Sequence, residues 1–145
     1  MKDIKHHNTT RLDHLLKVSY VSYKITKILK LDYKETAIGG LLHDFYNEEI
    51  DSCGGVKDKL LMFTTKHPNE AVENAKRNFK LTEKEINIIK THMFPVDYKI
   101  PKYVESWIVS IVDKVLSTSE FSRKFYYRLS YMLNLYLLFI FNVIK

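Results

Sequence analysis

The sequence predicts an all-α fold, a single helical bundle of six to seven helices, from three observations. The 145 residues include only 4 glycines and 3 prolines, which disfavours a turn-rich sheet fold. Apolar residues make up 46% of the chain, enough for one core in a domain of this length. Hydrophobic residues recur at steps of three and four, the period of an amphipathic helix. We expect one domain over residues 1–145, with its core at about 9–120.

The first helix is predicted over residues 10–30, where Thr9 or Thr10 can cap its start. Its inward side should be a stripe of apolar residues at helical spacing, made of Val18, Val21, Ile25 and Ile28. His14 lies one turn before this stripe on the same line, so we expect its side chain to face the interior.

The second helix should begin near Asp32, because Glu35 stands at the position that completes a capping box. Gly39 and Gly40 are poor helix formers and cost about 1 kcal/mol each relative to alanine. We expect them to allow close approach of a neighbouring helix beside the pair His43-Asp44. Residues 51–57 are predicted to form a loop, and a short apolar piece follows at 60–63.

Four further segments carry helical patterns or helix start signals. The third helix should start at His67-Pro68, since proline is tolerated in the first turn. The fourth runs from Thr82, which forms a capping box with Glu85, to His92. A fifth begins near Pro101 and contains Asp113, and a last apolar helix covers residues 121–144.

The end of this last helix, residues 131–144, is almost entirely apolar. Fourteen helical residues span about 21 Å, less than the ~30 Å hydrocarbon core of a bilayer, so no transmembrane segment is expected. We expect the helix to pack on the domain or against a second subunit, which would form a homodimer. A membrane-contacting tail is the alternative.

The charge and the cysteine content limit which partners and which cellular compartment we expect. The net charge of +6 comes from scattered lysines, which favours a solvated surface or attraction of a phosphorylated substrate. No helix is rich in Arg and Asn, so we do not expect nucleic-acid binding. The single cysteine, Cys53, excludes an internal disulfide framework, and the N-terminus lacks a secretory signal, so we expect a cytoplasmic protein.

Four histidines and two aspartates stand out because each interval between them is about one helix and one connection, apart from the adjacent pair. The six are His14, His43, Asp44, His67, His92 and Asp113, at intervals of 29, 1, 23, 25 and 21 residues. A single histidine on an apolar face is more often a core residue than a ligand. Asp113, however, lies in the apolar run SWIVSIVDKVL, where a buried carboxylate needs compensation, and a cation is the simplest candidate. The set therefore predicts a metal site.

Six side chains exceed the needs of one open metal site. If Asp44 bridges, two divalent ions about 3.5–4 Å apart can be held, and the water between them becomes a hydroxide near neutral pH. Iron, manganese, nickel, zinc and magnesium are the ions considered. This arrangement suits hydrolysis of a phosphoester or phosphoanhydride. His6 and His7 are expected at the surface, with a lid or substrate contact as the alternative.

The sequence resembles the HD superfamily of metal-dependent phosphohydrolases. The resemblance rests on His14 in TRLDHLLKVSY, His43-Asp44 in GGLLHDF and Asp113 in SIVDKV, over residues 9–120. The intervening His67 and His92 are similar to the binuclear branch, which includes HDIG-type proteins and the symmetrical diadenosine tetraphosphate hydrolases. The resemblance implies a first metal held by His14, His43, Asp44 and Asp113. It implies a second held by Asp44, His67 and His92, with Asp44 bridging.

The sequence departs from two branches of this superfamily. HDIG-type members have Gly-Lys shortly after the aspartate, but here the run is HDFYNE without that lysine. The alarmone hydrolases have Glu-Asp where this chain has Asn47-Glu48. Phosphate contacts are instead expected from basic residues that could equally be plain surface residues. They are Arg11, Lys57, Lys66 and Lys114.

The predicted function is therefore a metal-dependent phosphohydrolase that uses metal-bound hydroxide on a nucleotide or related phosphorylated small molecule. His43 and Asp44 are the residues predicted to be catalytic, through the metals. A non-catalytic regulatory module that binds metal or nucleotide is the alternative. A protein nucleophile is poorly supported, because Cys53 is in a loop with no neighbouring histidine and the chain lacks a G-x-S-x-G elbow.

Overall fold

A computed structural model describes residues 11–46 and 66–143 of the protein, except for the side chains of 124 and 136–143. These residues form five helices and no strand, which confirms the all-α prediction. The helices are α1 (Arg11–Ile28), α2 (Tyr33–Leu42), α3 (His67–Asn78), α4 (Glu83–Thr91) and α5 (Val104–Val143). The loop predicted at 51–57 and the apolar piece at 60–63 lie outside the described residues.

Helix α1 buries a different line of residues from the one predicted. The buried residues are Leu15, Val18, Ser22 and Thr26. The predicted stripe was wrong at its end, because Ile28 is 80% exposed. Thr26 can face the interior because α1 itself satisfies its hydroxyl, which donates to the carbonyl of Ser22 at 2.8 Å. The buried hydroxyl of Ser22 makes no hydrogen bond to any residue that the structure describes. The helix ends at Ile28, and Lys30, two residues later, has a φ of 57° and takes the left-handed position that often follows a helix.

Helix α2 packs closely on two neighbouring helices through its glycines, as predicted. A Cβ atom at Gly39 would lie 2.7 Å from Cγ2 of Ile88 on α4. A Cβ atom at Gly40 would lie 3.2 Å from the Cα atom of Ser19 on α1. The hydroxyl of Ser19 also donates to the carbonyl of Ala37 at 2.7 Å. These contacts fix the end of α2, where His43 and Asp44 follow.

The start of α2 differs from the predicted capping box. The side chain of Asp32 accepts from the backbone N–H of Glu35, but at 3.5 Å. The N–H of Asp32 itself donates to Oε1 of Glu105, at 3.2 Å. The carboxylate that completes the cap therefore comes from α5. Sequence spacing could not reveal it, because 73 residues separate the partners.

Lys84 joins this cap to α4. Its Nζ atom lies 2.9 Å from Oε1 of Glu105 and 3.7 Å from a carboxylate oxygen of each of Asp32 and Glu35. Burial alone would raise the pKa of Glu105, but hydrogen bonds from Lys84 and from the backbone outweigh it and lower that pKa. Glu105 is consequently ionised and links α2, α4 and α5.

Helices α3 and α4 start as the sequence predicted. His67 is the first residue of α3, with Pro68 in its first turn. The side chain of Thr82 accepts from Glu85, and the side chain of Glu85 accepts from Thr82, so the capping box of α4 is complete. A buried apolar cluster packs α2, α3 and α4 together, formed by Leu42, Ala71, Val72, Ala75 and Ile89.

Helix α5 runs without interruption through the point where two helices were predicted. Residues 117–122 are serine, threonine and glutamate apart from Phe121, and none of these stops a helix. Two of the serine hydroxyls donate hydrogen bonds to carbonyls of the same helix, Ser119 to Leu116 at 2.8 Å and Ser122 to Thr118 at 2.9 Å. By internal contacts the chain divides into two compact units, Met1–Asp113 and Lys114–Lys145. The single domain expected over 1–145 stays a prediction.

Across the described part of the chain, no helix is both long enough and apolar enough to span a membrane. In the single chain, the large apolar side chains of α5 that follow Ser119 are exposed, up to Leu135.

Gly39→Ala should destabilise the fold, by about 1–3 kcal/mol, because the added methyl group overlaps Ile88. Urea unfolding followed by circular dichroism measures this change. Lys34→Ala, at an exposed position of the same helix, is the control and should change stability by less than about 0.5 kcal/mol. If Gly39→Ala instead raised stability, as an exposed helical glycine would allow, the close approach of α2 and α4 would be wrong.

Glu105→Gln should destabilise the protein near neutral pH by about 1–3 kcal/mol, since it removes a charged hydrogen-bond partner of Lys84. The folded-state pKa of Glu105 is depressed, so its contribution is present above its ordinary pKa of 4.5 and disappears as pH falls through the folded value. The gap between variant and wild type should therefore close in acid. Glu73→Gln, at an exposed site on α3, should show no such pH-dependent gap.

Candidate metal centre

The six residues singled out in the sequence lie together in two groups of three. His14, His43 and Asp113 form one group, and Asp44, His67 and His92 form the other. In each group the potential ligand atoms all lie within 4.8 Å of one another. The residues reach this place from the ends or the interior of all five helices. We call the first set the upper group and the second set the lower group.

The upper group is centred on the carboxylate of Asp113. Its Oδ1 atom lies 3.0 Å from Nε2 of His14 and 3.5 Å from Nε2 of His43. Oδ2 of Asp44 also lies 3.5 Å from Nε2 of His43. Helices α1 and α5 therefore meet at the end of α2.

The lower group is centred on the other oxygen of Asp44. Oδ1 of Asp44 lies 3.4 Å from Nε2 of His67 and 3.3 Å from Nε2 of His92. The two Nε2 atoms are 3.1 Å apart. The two oxygens of Asp44 thus face different groups, and this single carboxylate lies between them.

His43 and His92 are oriented in the same way by the helices that they follow. Each is the C-cap residue of its helix and has αR backbone angles. Nδ1 of His43 donates to the carbonyl of Gly40, and Nδ1 of His92 donates to the carbonyl of Ile89, both at 2.7 Å. A carbonyl only accepts, so Nδ1 carries a proton, and Nε2 is the ring atom that faces the group. The bonds also satisfy carbonyls at the helix ends.

Ser110 holds the chain just after α4 and was not identified from the sequence. Its buried hydroxyl lies 2.8 Å from the carbonyl oxygens of both His92 and Phe94. Ser110 is three residues before Asp113 on α5, so one helix supplies a ligand candidate of the upper group and fixes the backbone of a lower-group residue. A serine inside the apolar run SWIVSIVDKVL was the available signal.

The charges in the centre are strongly coupled. Burial disfavours the imidazolium of His43, but the carboxylates of Asp44 and Asp113 outweigh it and raise its pKa to about 9. Burial would raise the pKa of Asp44 and of Asp113, but the surrounding histidines lower both. Burial lowers the pKa of His92, despite the nearby carboxylate of Asp44.

This arrangement fits a divalent cation. Nε2 of His43 and Oδ1 of Asp44 are buried and make no hydrogen bond to any residue that the structure describes. Lone pairs of imidazole and carboxylate that converge at 3.0–3.5 Å repel one another unless a proton or a cation lies between them. Imidazole nitrogen with carboxylate oxygen is a donor set that iron, manganese, nickel and zinc accept.

The four basic residues expected to contact phosphate have different positions. Arg11 donates to the backbone carbonyl of Tyr46 at 3.0 Å, and its guanidinium lies over the aromatic ring of Tyr46, 4.3 Å from the ring centre. The centre of the Tyr46 ring in turn lies 5.2 Å from the centre of the His67 ring. Tyr46 therefore lies between Arg11 and the lower group. Lys66 is exposed beside His67, and Lys114 follows Asp113.

Other residues singled out from the sequence lie outside the described part of the chain. These are Lys57, His6, His7, Cys53, Asn47 and Glu48. Tyr46 was not identified from the sequence as part of the site, because nothing in the run HDFYNE distinguishes an aromatic contact from a core residue.

The HD domain family matches residues 11–118 of this chain. The match covers well over half of the sequence, and the protein belongs to this family. The HD domain defines a superfamily of metal-dependent phosphohydrolases, and divalent metal binding is its general property. Neither a curated protein nor a solved structure matches the chain.

Metal binding should release about one proton per chain near neutral pH, because a coordinating imidazole must be neutral. His43 faces His14, Asp44, His92 and Asp113, and with a pKa of about 9 it is protonated in the metal-free protein. The raised value stabilises the metal-free fold below the ordinary pKa of 6.5, and this contribution is lost as pH rises towards 9. Metal affinity should accordingly increase with pH over the same window.

Calorimetric titration of Mn²⁺ in two buffers with different ionisation enthalpies counts the released protons. Equal heats in both buffers, or an affinity that falls as pH rises, would contradict the charge state assigned to His43. The exposed Lys90→Ala variant should give the same proton count as the wild type.

Proposed function

We propose that this protein is a metal-dependent phosphohydrolase that cleaves a phosphoester or phosphoanhydride of a nucleotide or related phosphorylated small molecule. The observation that supports it is the position of Asp44, whose two oxygens face two separate groups of imidazoles. A binuclear centre requires a ligand of this kind between its ions. The complete ligand set argues against a non-catalytic regulatory module.

In this proposal the ligands divide between two ions. His14, His43, Asp44 and Asp113 hold the first ion, and Asp44, His67 and His92 hold the second. His43 and Asp44 are catalytic because they fix the ions at the point where the two groups meet. The identity of the metal among iron, manganese, nickel, zinc and magnesium is open to measurement. We also propose that the protein is related to the binuclear branch that includes the symmetrical diadenosine tetraphosphate hydrolases.

Divalent ions bound here would activate water and neutralise charge on a phosphoryl group. The protein supplies the rest. Nδ1–H bonds to backbone carbonyls hold His43 and His92 in the ligating tautomer. Arg11, fixed on Tyr46 beside the lower group, provides a planar cation suited to a phosphate oxygen. Lys66 beside His67 and Lys114 after Asp113 add positive charge, and Lys57 remains a candidate from its sequence position.

Metal analysis of single variants tests the division of ligands. Elemental analysis of chelator-free protein should find up to two ions per chain. His92→Ala should retain the first ion and lose the second, since only the lower group is damaged. Asp44→Ala should lose both, because Asp44 serves both groups. Glu73→Ala, an exposed acidic residue, is the control. Asp44→Ala with the metal content of the wild type would exclude the bridging role.

Activity should be measured on nucleotides, dinucleotides and cyclic dinucleotides with added Mn²⁺ or Fe²⁺. We expect activity to vanish in EDTA, return with the ion, and survive Cys53→Ser. Single turnover in ¹⁸O-water should place the label in the product phosphate. Arg11→Ala should lower kcat/KM about tenfold or more, whereas Arg77→Ala at the exposed end of α3 should not. Full activity in EDTA rules the mechanism out, and metal binding without turnover of any substrate favours the regulatory alternative.

A further inference from the structure

The second part of α5, beyond the metal centre, exposes large apolar side chains along one line. Phe121, Phe125, Leu129 and Met132 follow one another at steps of four, four and three residues, which places them on one face of the helix. Their exposed fractions are 71%, 61%, 49% and 60%. We call this line the apolar face of the C-terminal segment, residues 114–145.

Between residues 119 and 134 the opposite side of the helix is polar. Ser119, Arg123, Ser130 and Asn134 follow at steps of four, seven and four, about half a turn away from the apolar face. Three exposed tyrosines, Tyr126, Tyr127 and Tyr131, border the polar side. Arg128 lies about 20° around the helix from Phe121, at the edge of the apolar face. Residues 119–134 therefore form an amphipathic stretch of helix with exposed aromatic residues beside its polar side.

Most of the net charge of the protein is concentrated in this segment. Residues 114–145 contain five lysines and arginines but only one acidic residue, Glu120, which gives a net charge of +4. The whole chain carries +6, so the other 113 residues contribute only +2. A basic segment with an exposed apolar face calls for a partner that is both apolar and anionic.

We propose that the C-terminal segment binds the surface of an anionic lipid bilayer. The apolar face enters the boundary between headgroups and acyl chains, as interfacial amphipathic helices do. The tyrosines lie at headgroup level, where their rings and hydroxyls are both satisfied. Arg123 on the polar side and Arg128 at the edge of the apolar face are attracted by anionic headgroups.

The charge of the segment favours a bilayer over a second copy of the chain. Two copies paired through this helix would bring together two segments of +4 with one glutamate each, so repulsion would oppose the contact. An anionic bilayer gains attraction from the same charges. The homodimer considered from the sequence is thus the competing outcome of the test.

Flotation of the full chain with lipid vesicles tests the proposal. We expect binding to vesicles of phosphatidylcholine and phosphatidylserine in equal parts, weak binding to phosphatidylcholine alone, and loss of binding as salt is raised. Light scattering coupled to size-exclusion chromatography should find a monomer before lipid is added. The test does not depend on hydrolytic activity, so failure of the proposed chemistry would leave it unaffected.

Two pairs of variants separate the electrostatic and the apolar contributions. Arg123→Glu with Arg128→Glu should weaken binding to the phosphatidylserine vesicles about tenfold or more. Lys34→Glu with Lys76→Glu makes the same charge change at exposed sites of α2 and α3 and should weaken it less than about twofold.

Phe125→Ser with Met132→Ser should also weaken binding about tenfold or more, because it removes half of the apolar face. Ile28→Ser with Leu29→Ser, two exposed apolar residues at the end of α1, should have little effect. Three results would overturn the proposal. They are no vesicle binding, binding that ignores both lipid charge and salt, and a stable dimer that only the Phe125/Met132 variant dissociates.

Discussion

The half-buried carboxylate of Asp44, whose Oδ1 atom is fully buried, is the constraint on which the rest of the structure depends. A carboxylate in a protein interior must be compensated by charge and by ligands, because an isolated buried anion is costly. Three imidazole nitrogens lie within 3.5 Å of its two oxygens, and they come from the end of α2, the start of α3 and the end of α4. Asp113 on α5 is a second carboxylate that needs compensation, and Nε2 of His43 lies 3.5 Å from an oxygen of both aspartates.

This requirement explains why helix ends, rather than helix interiors, supply most of the centre. A residue at a helix end can place its side chain in the centre while the helix itself stays outside. The last carbonyls of a helix have no partner within it, so they can accept a hydrogen bond from an imidazole and orient it. His43 and His92 use such ends identically. Gly39, Gly40 and Ser110 then fix how close the helices approach and where each chain turns. The proposed phosphohydrolase chemistry rests on this placement.

The sequence was sufficient for the features that depend on local rules or on rare residue types. Helix class, the start of α3 at His67-Pro68 and the capping box of Thr82 and Glu85 each follow from spacings of a few residues. The six chemistry-bearing residues could be recognised because histidine and buried aspartate are uncommon on apolar faces. The structure brings all six into the two groups.

Features that depend on distant partners were not available from the sequence. The cap that Glu105 gives to Asp32, the hydroxyl of Ser110 on His92 and the ring of Tyr46 against His67 all join residues far apart in the chain. The buried line through Ser22 and Thr26 was missed for a different reason. Periodicity arguments assign the interior to the most apolar residues, whereas tight packing of two helices favours small ones.

The adjacency of His43 and Asp44 limits how mutations in α2 can change the metal centre during evolution. One stretch of backbone at the end of α2 aims a side chain into each of the two groups, so the groups share a single register. Deleting one residue from α2 would rotate both side chains by about 100° and withdraw them together. Shifts in α2 therefore cannot erode the two groups one at a time. A lineage that slips this helix by a residue loses the whole centre in a single event.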